Sequence, residues 1–367
     1  MKEIGLDADS ANNNDAIATA VHDTPSRMVK LPGTQLRLSA TSTPEAEHTN
    51  GDSPQQDSHP TPRNIVVVGG GIMGASVAMQ LARLTATAEA GTNSIGNVRK
   101  TTITVVDLAP TTQDHATVGR PTRAWLHASG KTTKHYQRMN QWGLQSWKED
   151  PALRKLPSWT GSLARFATPN DDQTDADGSS AGPLPAFLTD GGYAVEGPLT
   201  KERLRELKPI ADWNMSGQQE VSATDETDVY YFADEGTVDP DAAARTCRDE
   251  AESLGVVFLK NCDATGLVWS DRIEGVQCGP YDRVLPADVV VVAGDAAGAL
   301  GDLPQDGLPV VGYLSNADGS GNSGVYSLVN HSGVTLGPLL GSMAAVEILR
   351  NVQLDVLKKY RPSRFGK

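Results

Sequence analysis

Residues 65–84, IVVVGGGIMGASVAMQLARL, constrain the chain more than any other stretch. A short, continuously apolar, β-branched run forms a strand buried on both faces, and the apolar residues after the glycines recur as on a helix. Between them Gly69, Gly71 and Gly74 fit the G-x-G-x-x-G pattern where it carries meaning, after a strand and opening a helix. The first glycine permits a tight turn, the second lets a pyrophosphate approach the backbone, and the third allows close helix packing. Free N–H groups and the macrodipole at the helix N-terminus favour that negative charge. Gly69, Gly70, Gly71, Ile72, Met73 and Gly74 therefore read as a dinucleotide-binding turn, the alternative being a glycine-rich turn without a ligand.

Downstream, TTITVVD gives a second apolar strand ending at Asp107, an acid positioned to bind ribose hydroxyls or merely to cap a strand end. It lies farther from Gly69 than the usual roughly 20 residues, because a loop of small polar residues, Thr85 to Lys100, intervenes. Tyr136, Met139, Trp142, Leu144 and Trp147 mark one face of a helix from His135 to Trp147, stopped by Pro151. Residues 167–185 form a polar surface loop; SWTGSLARF and AFLTDGGYAV around it read as strands, and LTKERLRELKP as a short helix closed by Pro209. Asp239 is an N-cap with Pro240 at the first helical position, and Gly255 ends that helix before a strand from Val256 to Leu259. A hairpin around Gly275, a buried parallel strand in ADVVVVAGD, and strand, glycine-rich turn and long helix in GVYSLVNHSGVTLGPLLGSMAAVEILRN complete the pattern.

Composition narrows the partners. Of 367 residues, 45 are Asp or Glu and 32 are Lys or Arg, a net charge of −13 that argues against nucleic acid as a partner. No apolar run reaches the roughly 20 residues of a membrane span. Cys247, Cys262 and Cys278 have wide spacings that resemble neither a disulfide framework nor a zinc site, so a reducing, cytoplasmic setting is expected, the alternative being a single disulfide. Residues 1–62 are rich in Ser, Thr, Asn, Asp and Pro, and no aromatic residue precedes Trp125; this stretch reads as a disordered extension.

Taken together, four segments resemble the FAD-dependent D-amino acid oxidase superfamily of amine and amino acid oxidoreductases. They are IVVVGGGIMGASVAMQLA, DEGTVDPDAAARTCRDEAESLGVVF, ADVVVVAGD and GVYSLVNHSGVTLGPLLGSMAAVEIL, in the family's order, with the terminal YRPSRF fitting its usual ending. The resemblance implies an α/β fold: an FAD/NAD(P)-binding, Rossmann-like three-layer domain with a reduced, mainly antiparallel substrate domain. It assigns 63–150, 233–302 and 320–367 to a discontinuous FAD domain, and 151–232 and 303–319 to the substrate domain. It also implies non-covalent FAD, an amino acid or amine as substrate, and hydride transfer to flavin N5 on oxidation of a C–N bond. By the same resemblance Ser332, Gly333, Val334 and Thr335 face the flavin from a turn before a helix starting near Leu336. Arg123, Ala124 and Trp125 pass the ring, Ala264 meets the adenine, Ala293 and Gly294 end the strand beneath the flavin, and His127 and His331 are the histidines nearest the chemistry.

The chain departs from that pattern in one place. The second insertion of the family's substrate domain is nearly absent, because ADVVVVAGDAAGAL runs within a few residues into LPQDGLPVVGYL. Leu303 occupies the place where the resemblance leads one to seek a carboxylate-binding arginine. An FAD-binding chain that has lost turnover is therefore a second reading; an NAD-dependent dehydrogenase is a third, disfavoured because the GVYSLVNHSGVTLGP segment has no role in a simple NAD fold.

Overall fold

The computed structural model describes residues 28–31, 34–37, 64–91, 101–106, 123–131, 133–166, 184–190, 192–208, 227–259, 262–279, 283–294, 304, 306–316 and 321–365. Two short strands, β1 (Met28–Leu31) and β2 (Thr34–Arg37), are followed by β3 (Asn64–Val68), α1 (Ile72–Gly91), β4 (Thr102–Val106), β5 (Ala124–Leu126) and α2 (Lys134–Glu149). A middle region holds β6 (Ser162–Arg165), α3 (Ala186–Asp190), β7 (Val195–Glu196), α4 (Lys201–Leu207), β8 (Val229–Phe232) and β9 (Gly236–Val238). The chain then forms α5 (Pro240–Ser253), β10 (Val257–Leu259), β11 (Ala264–Trp269), β12 (Ile273–Cys278), β13 (Arg283–Pro286) and β14 (Val289–Gly294). Last come β15 (Val310–Ser315), β16 (Asn322–Val329), α6 (Gly333–Arg350) and two 3-10 turns, Asp355–Tyr360 and Pro362–Phe365.

Six strands in the order β10-β4-β3-β14-β16-β15 make the central sheet, parallel except for β15. Its strands are β-branched runs because both faces are covered. Ile65 and Val67 of β3, Ile103 and Val105 of β4 and Val289 and Val291 of β14 share one core with α1, α5 and α6. The alternate residues Val66, Val68, Val106 and Val290 pack with Ile273 and Val276 of a three-stranded antiparallel sheet, β11-β12-β13. This is the expected three-layer α/β arrangement. A separate antiparallel sheet, β6-β8-β7, is the small sheet of the middle region.

Helices α1 and α6 cross at glycine. A Cβ at Gly341 would lie 3.0 Å from the backbone of Ser76 and Val77, and one at Gly337 would lie 3.4 Å from Ile72 Cγ1. Spaced four residues apart, these glycines lie on one helix face and let the two axes approach.

Four local expectations differ from the structure. Helix α1 runs on through Gly91, across the first part of the expected Thr85–Lys100 loop; its alanines favour helix, and Thr85 Oγ1 satisfies itself on Leu81 O at 3.0 Å. Residues 186–190, expected as strand, are the helical turn α3, which follows Pro185 and buries Leu188. Strand β15, expected in the substrate domain, pairs antiparallel with β16 at the edge of the central sheet, where Val310 and Val311 are buried. Strands β1 and β2 pair antiparallel within the segment expected to be disordered, where Val29 is a β-branched residue that favours strand. Asp239 does cap α5, accepting from the N–H groups of Asp241 and Ala242, and Gly255 follows that helix at φ +94°.

Candidate functional site

The β3–α1 turn is built by steric exclusion. Gly69 has φ +107°, and a Cβ there would meet Ala293 O at 2.2 Å, so strand β14 closes beneath it. A Cβ at Gly74 would meet Gly69 O at 1.8 Å. Gly71 is exposed, and a Cβ there would meet nothing within 4 Å. The turn is thus packed where glycine serves the fold and open where a ligand would approach the backbone. Met73 is buried, and Gly333 lies against it, a Cβ there falling 3.3 Å from Met73 Cγ. The two glycine-rich segments of the sequence therefore meet in space.

Helix α6 starts at Gly333, earlier than the sequence suggests, with Leu336 N–H donating to Ser332 O at 3.0 Å. Gly333, Val334 and Thr335 consequently form its first turn, whose N–H groups have no partner within the helix. Helix α2 holds that turn from behind. Trp147 Nε1 donates to Val334 O at 3.0 Å, and a Cβ at Gly143 would fall 2.6 Å from Thr335 O.

In front of the turn lies a cavity of about 380 Å³, within the size range of small-molecule sites, lined by residues of 124–136, 306–307 and 331–335. The Trp125 indole stacks on His127, with ring centroids 3.8 Å apart and planes 11° from parallel. His127 Nδ1 lies 3.0 Å from Ser129 O and Nε2 lies 3.2 Å from Lys131 Nζ. The tautomer satisfying both carries its proton on Nδ1 and accepts from the ammonium at Nε2. Burial, and then the Lys131 charge, push His127 down to about 3, so the ring is neutral. Lys131 Nζ also donates to Ser332 Oγ at 2.9 Å, which accepts from the Tyr136 hydroxyl at 2.8 Å. Burial pulls the Lys131 ammonium down to about 8, against an upward pull from Glu235.

The sequence-derived residues distribute unevenly. Ala124, Trp125, His127, His331, Ser332, Val334 and Thr335 line the cavity, His331 at an exposed position. Gly69–Gly74, Ala293 and Gly333 lie at or beside the β3–α1 turn. Arg123 is exposed and donates to Thr237 Oγ1 at 3.0 Å, outside the cavity. Gly294 ends β14, and its carbonyl accepts from Asn330 N–H at 3.3 Å. Ala264 opens β11, on the sheet covering the opposite face. Asp107 and Leu303 lie outside the described residues.

Sequence reasoning missed Lys131 and Glu235. A lysine after Gly130 carries no motif, and the glutamate before Gly236 reads as a polar turn residue; only burial, at 7% and 0% exposure, distinguishes them. Asp306 also faces the cavity; the Arg364 guanidinium, at 2.7 Å, holds its carboxyl below the usual range.

Residues 64–305 match the model of a family described as DAO, FAD dependent oxidoreductase. L-proline dehydrogenase from P. horikoshii is similar at 14% identity and a TM-score of 0.58, over 83% of this chain and 98% of that one. Glycine oxidase from Geobacillus kaustophilus is similar at 13% identity and 0.55, over 83% and 99%. Amadoriase I from Aspergillus fumigatus, a fructosyl amine: oxygen oxidoreductase, is similar at 15% identity and 0.52, over 84% and 91%. Such identities speak to fold alone. No curated protein sequence matches the chain.

Proposed function

Because the chain belongs to the DAO family of FAD-dependent oxidoreductases, we propose that it oxidises a C–N bond of an amino acid or amine. FAD, when bound, supplies the hydride acceptor. The residues present fit that group. The backbone at Gly71 is open, the first turn of α6 offers N–H donors, and the contact between Met73 and Gly333 joins the two. That meeting of the two glycine segments beside one cavity is the observation carrying the reading.

In this reading the Gly69–Gly74 turn holds the pyrophosphate, and Gly333, Val334 and Thr335 hold the electron-rich edge of the ring system. Asp107 binds the ribose and Ala264 approaches the adenine. Trp125 and His127 wall the cavity and exclude water. His127 accepts from Lys131 and orients it, and we assign proton exchange between substrate and water to the exposed His331. Lys131 supplies positive charge toward an anionic group in the cavity. We retain 63–150, 233–302 and 320–367 as the FAD domain, with β15 added to it, and 151–232 as the substrate domain. We also propose a cytoplasmic setting, on the spacing of the three cysteines in the sequence.

The test is purification of the full chain. Flavin absorbance, bleached anaerobically by an amino acid or a secondary amine, is the expected result. A colourless chain that takes up no FAD on reconstitution overturns the reading. A second reading, FAD binding without turnover, is favoured by the small sheet, which has three strands among the described residues. It predicts FAD uptake with no bleaching by any of these substrates.

A further inference from the structure

Glu235 lies between β8 and β9 with no exposed surface. Five donors converge on it. Oε1 accepts from the N–H groups of Ala128 at 3.0 Å and Ser129 at 2.8 Å, and from the Tyr193 hydroxyl at 2.8 Å. Oε2 accepts from Trp125 Nε1 at 3.1 Å and from the Ser162 hydroxyl. Both oxygens accept from N–H donors, as the two acceptor oxygens of a carboxylate do. Burying one is costly unless its hydrogen bonds are filled. Five filled bonds explain how it persists; they do not explain why a charge stands there.

The donors supply that reason. Trp125 stacks on His127, and Ser129 both donates its N–H to Glu235 and accepts from His127 at its carbonyl. His127 in turn accepts from Lys131. The carboxylate thus grips the turn carrying the lysine from one side, while Ser332 grips the lysine from the other. Ser162 of β6 and Tyr193 ahead of β7 extend the same grip to the small sheet.

We propose that Glu235 is a positioning residue for the cavity: it fixes Trp125 and the 127–131 turn against the small sheet and thereby sets both the aim and the charge of the Lys131 ammonium. The inference rests on the proposed function only in taking this cavity as the reaction site. The ionisable groups around Lys131 are His127 after β5, Tyr136 on α2, Glu235 before β9, Asp306 before β15 and His331 before α6. Glu235 is the one whose charge opposes the effect of burial on Lys131.

The titration of Lys131 is read on the full chain without any substrate. Unfolding free energy is measured against pH for wild type and Lys131→Met, and again for Glu235→Gln and the double variant; each difference isolates the lysine. Glutamine retains an acceptor oxygen for the Ala128 and Ser129 N–H groups but removes the charge. The expected result is a lysine midpoint near 8 that falls by about one unit in the Glu235→Gln background. Glu235→Asp, which keeps the charge, holds the midpoint nearer 8 and stands in if glutamine prevents folding. An unchanged midpoint in Glu235→Gln, or an equal fall in Glu235→Asp, overturns the proposal. FAD uptake by wild type, followed by absorbance in parallel, separates failure of this inference from failure of the proposed function.

Discussion

Lysine buried beside a neutral histidine should cost the folded chain stability until something anionic meets it. Lys131 titrates near 8 in the fold, against an ordinary value of 10.5. Each unit corresponds to about 1.4 kcal/mol, so the protonated lysine destabilises the flavin-free fold by about 3 kcal/mol near pH 7. Lys131→Met keeps a long side chain while removing the charge. It also removes the hydrogen bonds to Ser332 and His127, leaving the latter's Nε2 without its donor, a loss of about 1 kcal/mol. The variant should therefore be more stable than wild type by about 2 kcal/mol near pH 7. The sign follows from linkage: between pH 8 and 10.5 the unfolded chain binds more protons at this residue than the folded chain, so the wild type gains stability as pH rises. The advantage of methionine should shrink across that window and reverse above it. Urea unfolding of the full-length chain freed of flavin, from pH 6 to 11, measures the difference directly. A variant less stable than wild type at pH 7, or a difference flat in pH, refutes the reasoning.

Gly71→Val should leave unfolding unchanged within about 0.5 kcal/mol while abolishing FAD uptake, because the added carbon meets open space. Gly74→Ala should instead destabilise the fold itself by several kcal/mol, as its Cβ would strike Gly69 O at 1.8 Å, and a thermal melt separates the two cases. Arg361→Ala leaves Glu347, 1% exposed and bound by Arg361 Nη1 at 2.7 Å, without its cation, and should cost about 3–5 kcal/mol in urea unfolding. Burial pushes the thiols of Cys247 and Cys278 up to about 12, so iodoacetamide at pH 8 should leave both unmodified in the native chain and label them on unfolding, by peptide mass spectrometry.

Where periodicity and steric need coincide, the sequence is legible. Strand β3, the glycine turn and α1 can be read because each glycine has a separate steric reason, and the Asp239–Pro240 start of α5 because capping is a local transaction between neighbours. What cannot be read is set by contacts distant in the chain. Helix α1 overruns its expected end because alanine and back-bonded threonine sustain it without an apolar stripe. The 186–190 turn is apolar in either periodicity, and burial of Leu188 settles it as a helix. Lys131 and Glu235 are polar residues in glycine-containing turns, and their burial depends on Ser332, Ser162 and Tyr193, which no local pattern connects to them.

The crossing of α1 and α6 has a metric consequence. One helix begins at the turn assigned to the pyrophosphate, the other at the donors assigned to the ring, and the two are in contact through Gly333, Gly337 and Gly341. Gly333 and Gly337 meet side chains, of Met73 and Ile72, whose rotamers adjust; Gly341 meets the backbone of Ser76 and Val77, and backbone against backbone does not yield. The span between the two anchoring points is therefore gauged by helix diameter rather than by loop length, and insertions in the loops around it leave the gauge untouched.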